Sequence, residues 1–350
     1  MTPSAPAFPD DVDVAVVSYN GRQTLPRVFA CLRDAGAPLS RATLYDIAST
    51  DDTAAWMARD FPEVRVATMP VNAGPNPARN RALREATRPY LLLLDSDAYL
   101  DAAAPALLRG AMGPADVGAV TPLVVHDDAP DRIQYGGASL HFLCEAINPW
   151  LDRTREERGS AAANIGTAAG VCFLFDRKAA LACGGFDERY FMGKEDGEFC
   201  YRLRVAGFRI VEVPKALARH GSKPRSTWLF RYQLRNRWHF ILRNYETRTL
   251  VVLAPALLLH EPVQFAAVIA KGQVRAWFQA VGDLMTWLRT LGRERRAVRE
   301  MRRTPDAAIL GAAPLVVRAD VVGGRGGQIF KSLYDGWLAF YWRIARSLLR

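Results

Sequence analysis

The sequence predicts an α/β protein: a mostly parallel sheet flanked by helices, followed by a mainly helical, basic C-terminal region. Three observations carry this reading. Apolar runs of strand length alternate with helix-patterned segments through residues 12–95, and such alternation builds a parallel sheet covered on both faces. One of those runs, YLLLL at 90–94, ends in Asp95-Ser96-Asp97 with nothing basic beside it. The charge is also split: residues 221–350 hold 22 Lys and Arg against 8 Asp and Glu, while residues 1–220 hold 24 against 28.

The elements follow in order. VDVAVVSY (12–19) is a β-branched run of strand length. In TLPRVFACLRDAG, Leu25, Val28, Phe29 and Leu32 share one helical face and Gly36 supplies a stop. ATLYDIA is a second strand, the S-T-D-D-T cluster suits a helix N-terminus, and AAWMARDF is helical. VRVATMP is a third strand, NPARNRALREAT a third helix and YLLLL a fourth strand. GAVTPLVV and GVCFLFD read as further strands; residues 126–165 between them lack a clear period and read as loops and short elements. EDGEFCYRLRVAG is helical up to Gly207, and FRIVEVP is a last strand.

With 350 residues the chain has room for two domains, and the boundary is expected after residue 226. From Thr227 the texture changes: WLFRYQLRNRWHFILRNY interleaves aromatic side chains with Arg231, Arg235, Arg237 and Arg243. The apolar stretch over residues 249–270 is interrupted by Pro255, His260, Glu261 and Pro262. A bilayer span needs about 20 mostly apolar residues, so interfacial amphipathic helices at a membrane surface are expected instead, with an ordinary helical subdomain packed on the first domain as the alternative. Gly323–Gly327 reads as a hinge; it lacks the Lys-Ser/Thr of a phosphate-binding loop. Five cysteines, with no C-x-x-C pair, argue against a disulfide framework or zinc knuckle and suit a reducing compartment. The opening MTPSAPAFPDDVDV has neither the basic flank nor the apolar run of a signal peptide.

In an extended backbone, residues two apart point to one face. Asp95 and Asp97 would then meet at the carboxyl end of their strand, where open α/β sheets bind ligands. Mutual repulsion there is relieved by a divalent or cationic ligand; the alternative is a solvated turn.

Taken together, VVSYN (16–20), DIASTDDT (46–53), NAGPNPARNR (72–81), LDSD (94–97), GGFDE (184–188), EDGE (195–198) and the later His220 resemble the family 2 glycosyltransferases of the GT-A fold. The similarity is greatest to bacterial rhamnosyltransferase-like enzymes of cell-surface polysaccharide assembly, and it covers residues 12–245. Each motif alone is weak; seven in this order are specific. The resemblance implies an inverting, metal-dependent glycosyltransferase using a UDP-, dTDP- or GDP-sugar. Asp97 would ligate Mg2+ or Mn2+ directly, Asp95 would touch the ribose or the metal's waters, Ser96 would lie against the donor, and His220 would complete the metal shell. Ser18, Tyr19, Asn20 and Asp46 would receive the base, with Asp51 a second candidate; Ile47 departs from the family's Asn. Arg79 would pair with a phosphate or, as a surface residue, with Glu85 or Asp60. Asp196 would be the general base, Glu195 would lie on the acceptor side, and Gly170 in GTAAG would leave room for the acceptor. Glu198 stands where the family often has Asp and would serve helix electrostatics.

The acceptor implied is a polyprenyl-linked sugar or growing glycan, with the enzyme peripheral at the inner, cytoplasmic face of a bacterial plasma membrane. No nucleic acid is expected, because no recognition motif accompanies the basic tail. Two other classes compete. A sugar nucleotidyltransferase would carry a Gly-rich basic loop after the first strand, where this chain has S-Y-N-G-R. A non-catalytic nucleotide-sugar-binding or scaffold protein would have no need for both Asp97 and Asp196.

Overall fold

The computed structural model describes residues 7–221, 227–316 and 324–349. The expected boundary after 226, Gly323 of the glycine run and the first six residues of the N-terminal stretch adjoin or lie outside them.

The first half follows the predicted alternation: β1 (Val12–Ser18), α1 (Leu25–Asp34), β2 (Ala42–Asp46), α2 (Thr53–Asp60), β3 (Arg65–Thr68), α3 (Pro75–Glu85) and β4 (Tyr90–Asp95). β4 pairs in parallel with β1, β1 with β2 and β2 with β3. The apolar residues of α1 bury the face their spacing predicts, with Leu25, Val28, Phe29 and Leu32 all inaccessible. A turn at Ser96-Asp97 leads into β5 (Ala98–Leu100), followed by α4 (Ala104–Ala111) and β6 (Val117–His126).

The unpatterned stretch holds short pieces: β7 (Ile133–Tyr135), β8 (Ser139–His141), β9 (Ala146–Ile147), α5 (Arg155–Arg158) and β10 (Ala163–Ile165). Then come β11 (Cys172–Asp176), α6 (Arg177–Ala182), α7 (Glu195–Val205) and β12 (Arg209–His220). The large sheet runs β10-β12-β6-β11-β4-β1-β2-β3, with β5 and β7 attached to β12 and β6. It is parallel from β3 to β4 and mixed beyond, because β11 enters antiparallel to both β4 and β6. β12 is longer than its apolar run: after a register shift between Val213 and Leu217 it continues to His220. That extension pairs His220 with Ala98, beside the Asp-Ser-Asp turn.

The C-terminal region is helical: α8 (Leu229–Asn244), α9 (Thr247–Ala270), α10 (Val274–Met301), α11 (Asp306–Ile309), then β13 (Leu310–Gly311) and α12 (Arg325–Leu349). Two expectations are corrected here. α9 runs unbroken through Pro255 and Pro262, and it is long and apolar enough to cross a membrane. Its apolar residues occupy the whole circumference rather than one stripe, so it lacks the single apolar face that the amphipathic reading required. The glycine run is no hinge within the described residues, since Gly326 and Gly327 lie in the first turn of α12. These helices share a core with the sheet region: Leu140, Phe142, Tyr201 and Val205 pack with Phe240, Tyr245, Leu253 and Trp342. β13 adds a strand to the β8–β9 pair.

Candidate active site

The carboxyl ends of β1, β2 and β4 line one edge of the sheet, where the chain leaves each strand for a loop. After β1, Asn20 takes a positive φ of 53°. Its backbone N–H donates to Ser49 Oγ at 2.8 Å, and its side chain accepts from the Thr50 N–H at 2.8 Å, joining the loops after β1 and β2. Gly21 follows because a Cβ there would lie 2.1 Å from Ser18 Oγ. Ser18 and Asp46 are buried, and Tyr19 is 46% exposed. Asp46 accepts from both the N–H and the hydroxyl of Ser49. Asp51 is occupied differently: it accepts from the Thr53 N–H at 3.0 Å and from the Thr53 hydroxyl at 2.5 Å, securing the start of α2.

The two aspartates after YLLLL part company. β4 ends at Asp95, and Asp97 lies in the following turn, so they do not form one pair on an extended strand. Asp95 Oδ1 accepts from Arg79 Nη2 at 3.0 Å. Asp97 Oδ1 lies 3.4 Å from His220 Nε2. The other ring nitrogen, Nδ1, is 2.7 Å from Gln134 Oε1; in a neutral imidazole, donation to that amide oxygen would turn the Nε2 lone pair toward the carboxylate. Two electron-pair donors so placed suit a shared cation; the carboxylate suits Mg2+ or Mn2+, and the imidazole is the softer of the two ligands. Asp95 faces Arg79 instead, and among the described residues no group of three or more His, Cys, Asp or Glu could hold a metal by itself. Asp97 and His220 therefore fit as two protein ligands of a cation whose remaining positions a diphosphate would fill.

Arg79 does not form the surface ion pair with Glu85 or Asp60: its side chain is 3% exposed, and Nη1 donates to Asp196 Oδ1 at 2.8 Å while Nη2 holds Asp95. Phe186 packs against the guanidinium at 5.2 Å. Burial raises the Asp95 carboxyl above its ordinary value, as do Asp97 and Asp196, while Arg79 opposes them. One cation thus joins the end of β4 to the start of α7.

Gly170 lies in the same cluster. Its N–H donates to Asp196 Oδ2 at 2.8 Å. A Cβ at this position would come within 2.5 Å of Arg79 Nη2 and 2.6 Å of Asp196 Oδ1. The glycine serves contact between backbone and carboxylate rather than open space. Glu195, next in line on α7, is 8% exposed with Oε2 unpartnered. Burial, reinforced by Asp196, pushes its carboxyl up to about 7.

Glu198 is not a solvated helix-end charge. It is fully buried, donated to by Arg202 Nη2 at 2.6 Å and 3.3 Å from Arg243.

Several positioning residues escaped the sequence reading. Asn76 and Asn80, flanking Arg79 on α3, grip the backbone of the GGFDERY turn: Asn76 donates to Asp187 O and Tyr190 O, and Asn80 exchanges bonds with Phe186 O and N. Their i, i+4 spacing in NPARN was a signal for one shared helix face. Gln134 had none, since it lies in the stretch without periodicity.

The fold is that of the GT-A glycosyltransferases: TarS 1-349 of S. aureus, solved with UDP, superposes with a TM-score of 0.51 at 15% identity over 96% of this chain and 90% of that one. GalNAc-T7, solved with UDP, GalNAc and Mn2+, superposes with a TM-score of 0.56 at 15% identity over 72% of this chain and 54% of that one. At such identities the likeness is one of fold. Residues 9–240 match the family described as glycosyltransferase like family 2, and the chain belongs to that family. It is similar to the N-acetylglucosaminyl-diphospho-decaprenol L-rhamnosyltransferase of Mycobacterium tuberculosis, 31% identical over 235 residues, or 60% of this chain and 76% of the relative. It is also similar to the pre-mycofactocin glycosyltransferase of that organism, 28% identical over 250 residues, or 69% of this chain and 48% of the relative.

Proposed function

We propose that this glycosyltransferase is inverting and metal-dependent, and moves a sugar from a UDP-, dTDP- or GDP-sugar to a polyprenyl-linked acceptor or growing glycan in cell-surface polysaccharide synthesis. The observation that carries the reading is the buried Arg79 guanidinium, 3.0 Å from Asp95 and 2.8 Å from Asp196. It fixes a donor-side carboxylate and an acceptor-side carboxylate at one end of the sheet.

In this reading the loops holding Ser18, Tyr19, Asn20 and Asp46 receive the base, Asp95 and Ser96 lie against the donor, and Asp51 supports the loop. Asp97 and His220 would hold a divalent cation, which when bound offsets the charge growing on the diphosphate leaving group. Asp196, oriented by the Gly170 N–H and Arg79, takes the proton of the attacking acceptor hydroxyl. Attack opposite the leaving group inverts the anomeric carbon. Glu195 borders the acceptor.

The name of the mycobacterial rhamnosyltransferase supports a lipid-linked acceptor, and the outward apolar side chains of α9 support work at the inner face of a bacterial plasma membrane. Catalysis by residues 1–226 with membrane association through 227–350 is the division of labour we propose.

A panel of nucleotide sugars, each tested for thermal stabilisation with Mn2+ and again with EDTA, identifies the donor. One compound should raise Tm only with the cation, since a ligand specific for the folded state stabilises by mass action. The same compound should then support transfer to a polyprenyl-diphosphate-linked sugar. No stabilisation by any donor under either condition would contradict the proposal.

A further inference from the structure

We infer that the pocket where α8 meets α9, walled by the C-terminal half of α10, binds a phosphate-bearing ligand of two or more negative charges. The cavity has a volume of about 510 Å3 and is lined by Arg243, Arg248, Arg295, Arg296, Arg299 and Arg302, with Glu246 as the one acid in its wall. None of the candidate catalytic or donor-binding residues lines it.

The charges in this wall do not cancel. Arg243 is matched by Asp187 and Glu198, and Arg302 by Asp306. Glu246 is itself engaged, accepting from the Asp306 N–H at 2.9 Å. Arg295 donates to Leu242 O and, at 3.1 Å, to Thr247 Oγ1, neither of them charged. Among the described residues, no carboxylate pairs with Arg248, Arg295, Arg296 or Arg299. Arg295 also feels the Asp306 carboxylate, which leaves Arg248, Arg296 and Arg299 as three guanidinium groups without a carboxylate partner lining one concavity. A concave wall of one sign concentrates counter-charge, and the planar donor fork of arginine matches phosphate oxygens two at a time.

The backbone adds to this. α9 starts at Thr247 in the pocket wall and has no side-chain cap. The first N–H groups of a helix lack intrahelical partners and favour an anion. A carboxylate or chloride would answer one or two of these donors; a diphosphate or phosphomonoester answers them together.

The phosphate could belong to a lipid headgroup or to a soluble compound, and the test separates the two. Arg296 and Arg299 are exposed, so Arg296→Glu/Arg299→Glu in the full chain should fold; Arg296→Gln/Arg299→Gln controls for the added negative charge. Inorganic pyrophosphate is titrated calorimetrically in EDTA, which leaves the metal-dependent donor site empty. Flotation is followed in parallel with phosphatidylcholine vesicles made with and without phosphatidic acid. The charge-reversed variant should bind pyrophosphate at least tenfold more weakly and the Gln variant to an intermediate degree, with Mn2+-dependent stabilisation by the donor unchanged. Equal loss of the phosphatidic acid-dependent flotation assigns the site to a headgroup; flotation unchanged beside weakened pyrophosphate binding assigns it to a soluble phosphate. Binding equal to that of the parent chain in both arms, or no binding by the parent in either, overturns the inference.

Discussion

At the scale of single residues, the site is governed by one buried cation and the two carboxylates it joins. Gly170 tests how tightly that arrangement is packed. Its φ is ordinary, so Gly170→Ala meets steric rather than backbone opposition, with Cβ 2.5 Å from Arg79 Nη2 and 2.6 Å from Asp196 Oδ1. Turnover should fall at least tenfold while donor affinity stays within about twofold, because small displacements of a catalytic group are costly; steady-state kinetics and a donor titration check this. Glu195 makes a prediction in pH. Its folded value of about 7 lies above the ordinary 4.5. Between these values the folded chain keeps a proton that the unfolded chain releases, so stability falls as pH rises across that window. The cost is absent below it and complete above it, reaching up to about 3 kcal/mol. Glu195→Gln should therefore be more stable than the parent above the window and lose most of the slope within it. Parallel denaturation curves across pH would contradict the assignment.

At the scale of elements, most of the α/β half was legible because its signals are local: strand-length apolar runs, helix faces and turn residues. The family motifs marked which loops matter. What the sequence did not disclose depends on contacts between distant segments. Arg79 could not be placed between Asp95 and Asp196 from helical spacing alone, and the prolines of α9 masked its continuity. Helices α7, α8 and α10 show the same point through charge. Glu294 on α10 accepts from Arg189 at 2.8 and 2.9 Å and lies 2.8 Å from His239 Nε2. Arg243 on α8 meets Asp187 at 2.7 Å and Glu198 of α7 at 3.3 Å. Burial alone would raise the Glu294 carboxyl, but the bonds from His239 and Arg189 hold it well below the usual range. It therefore stabilises the fold above the ordinary carboxylate pKa and loses that contribution as pH falls through the folded value. Glu294→Ala leaves Arg189 and His239 without their shared partner and should cost about 3 kcal/mol, read by urea denaturation at neutral pH. A loss under about 0.5 kcal/mol, the size of an exposed pair, would show that the network contributes little.

At the scale of the whole molecule, the predicted boundary near residue 226 marks a change in chemistry without marking a gap in the core. Tyr201 and Phe142 pack directly with Phe240, Tyr245 and Trp342, so deleting the C-terminal region would open the interior beside α7. Its outward surface has another character: Leu258 is 70% exposed on α9, Phe278 64% on α10 and Leu333 70% on α12. Large apolar side chains so exposed suit an interaction surface, and with the basic balance of residues 221–350 the membrane association proposed above assigns them to an anionic bilayer. Leu258→Glu/Leu333→Glu in the full chain should reduce co-sedimentation with anionic vesicles at least fivefold and leave donor binding intact; unchanged sedimentation would remove the membrane reading. The account as a whole rests on Asp196 accepting a proton at a site that binds its donor independently. Asp196→Asn, compared with the parent in donor affinity and single-turnover transfer, tests this most directly. Affinity should stay within about threefold while the transfer rate falls by roughly 10²–10⁴. Transfer at the parental rate would contradict the account.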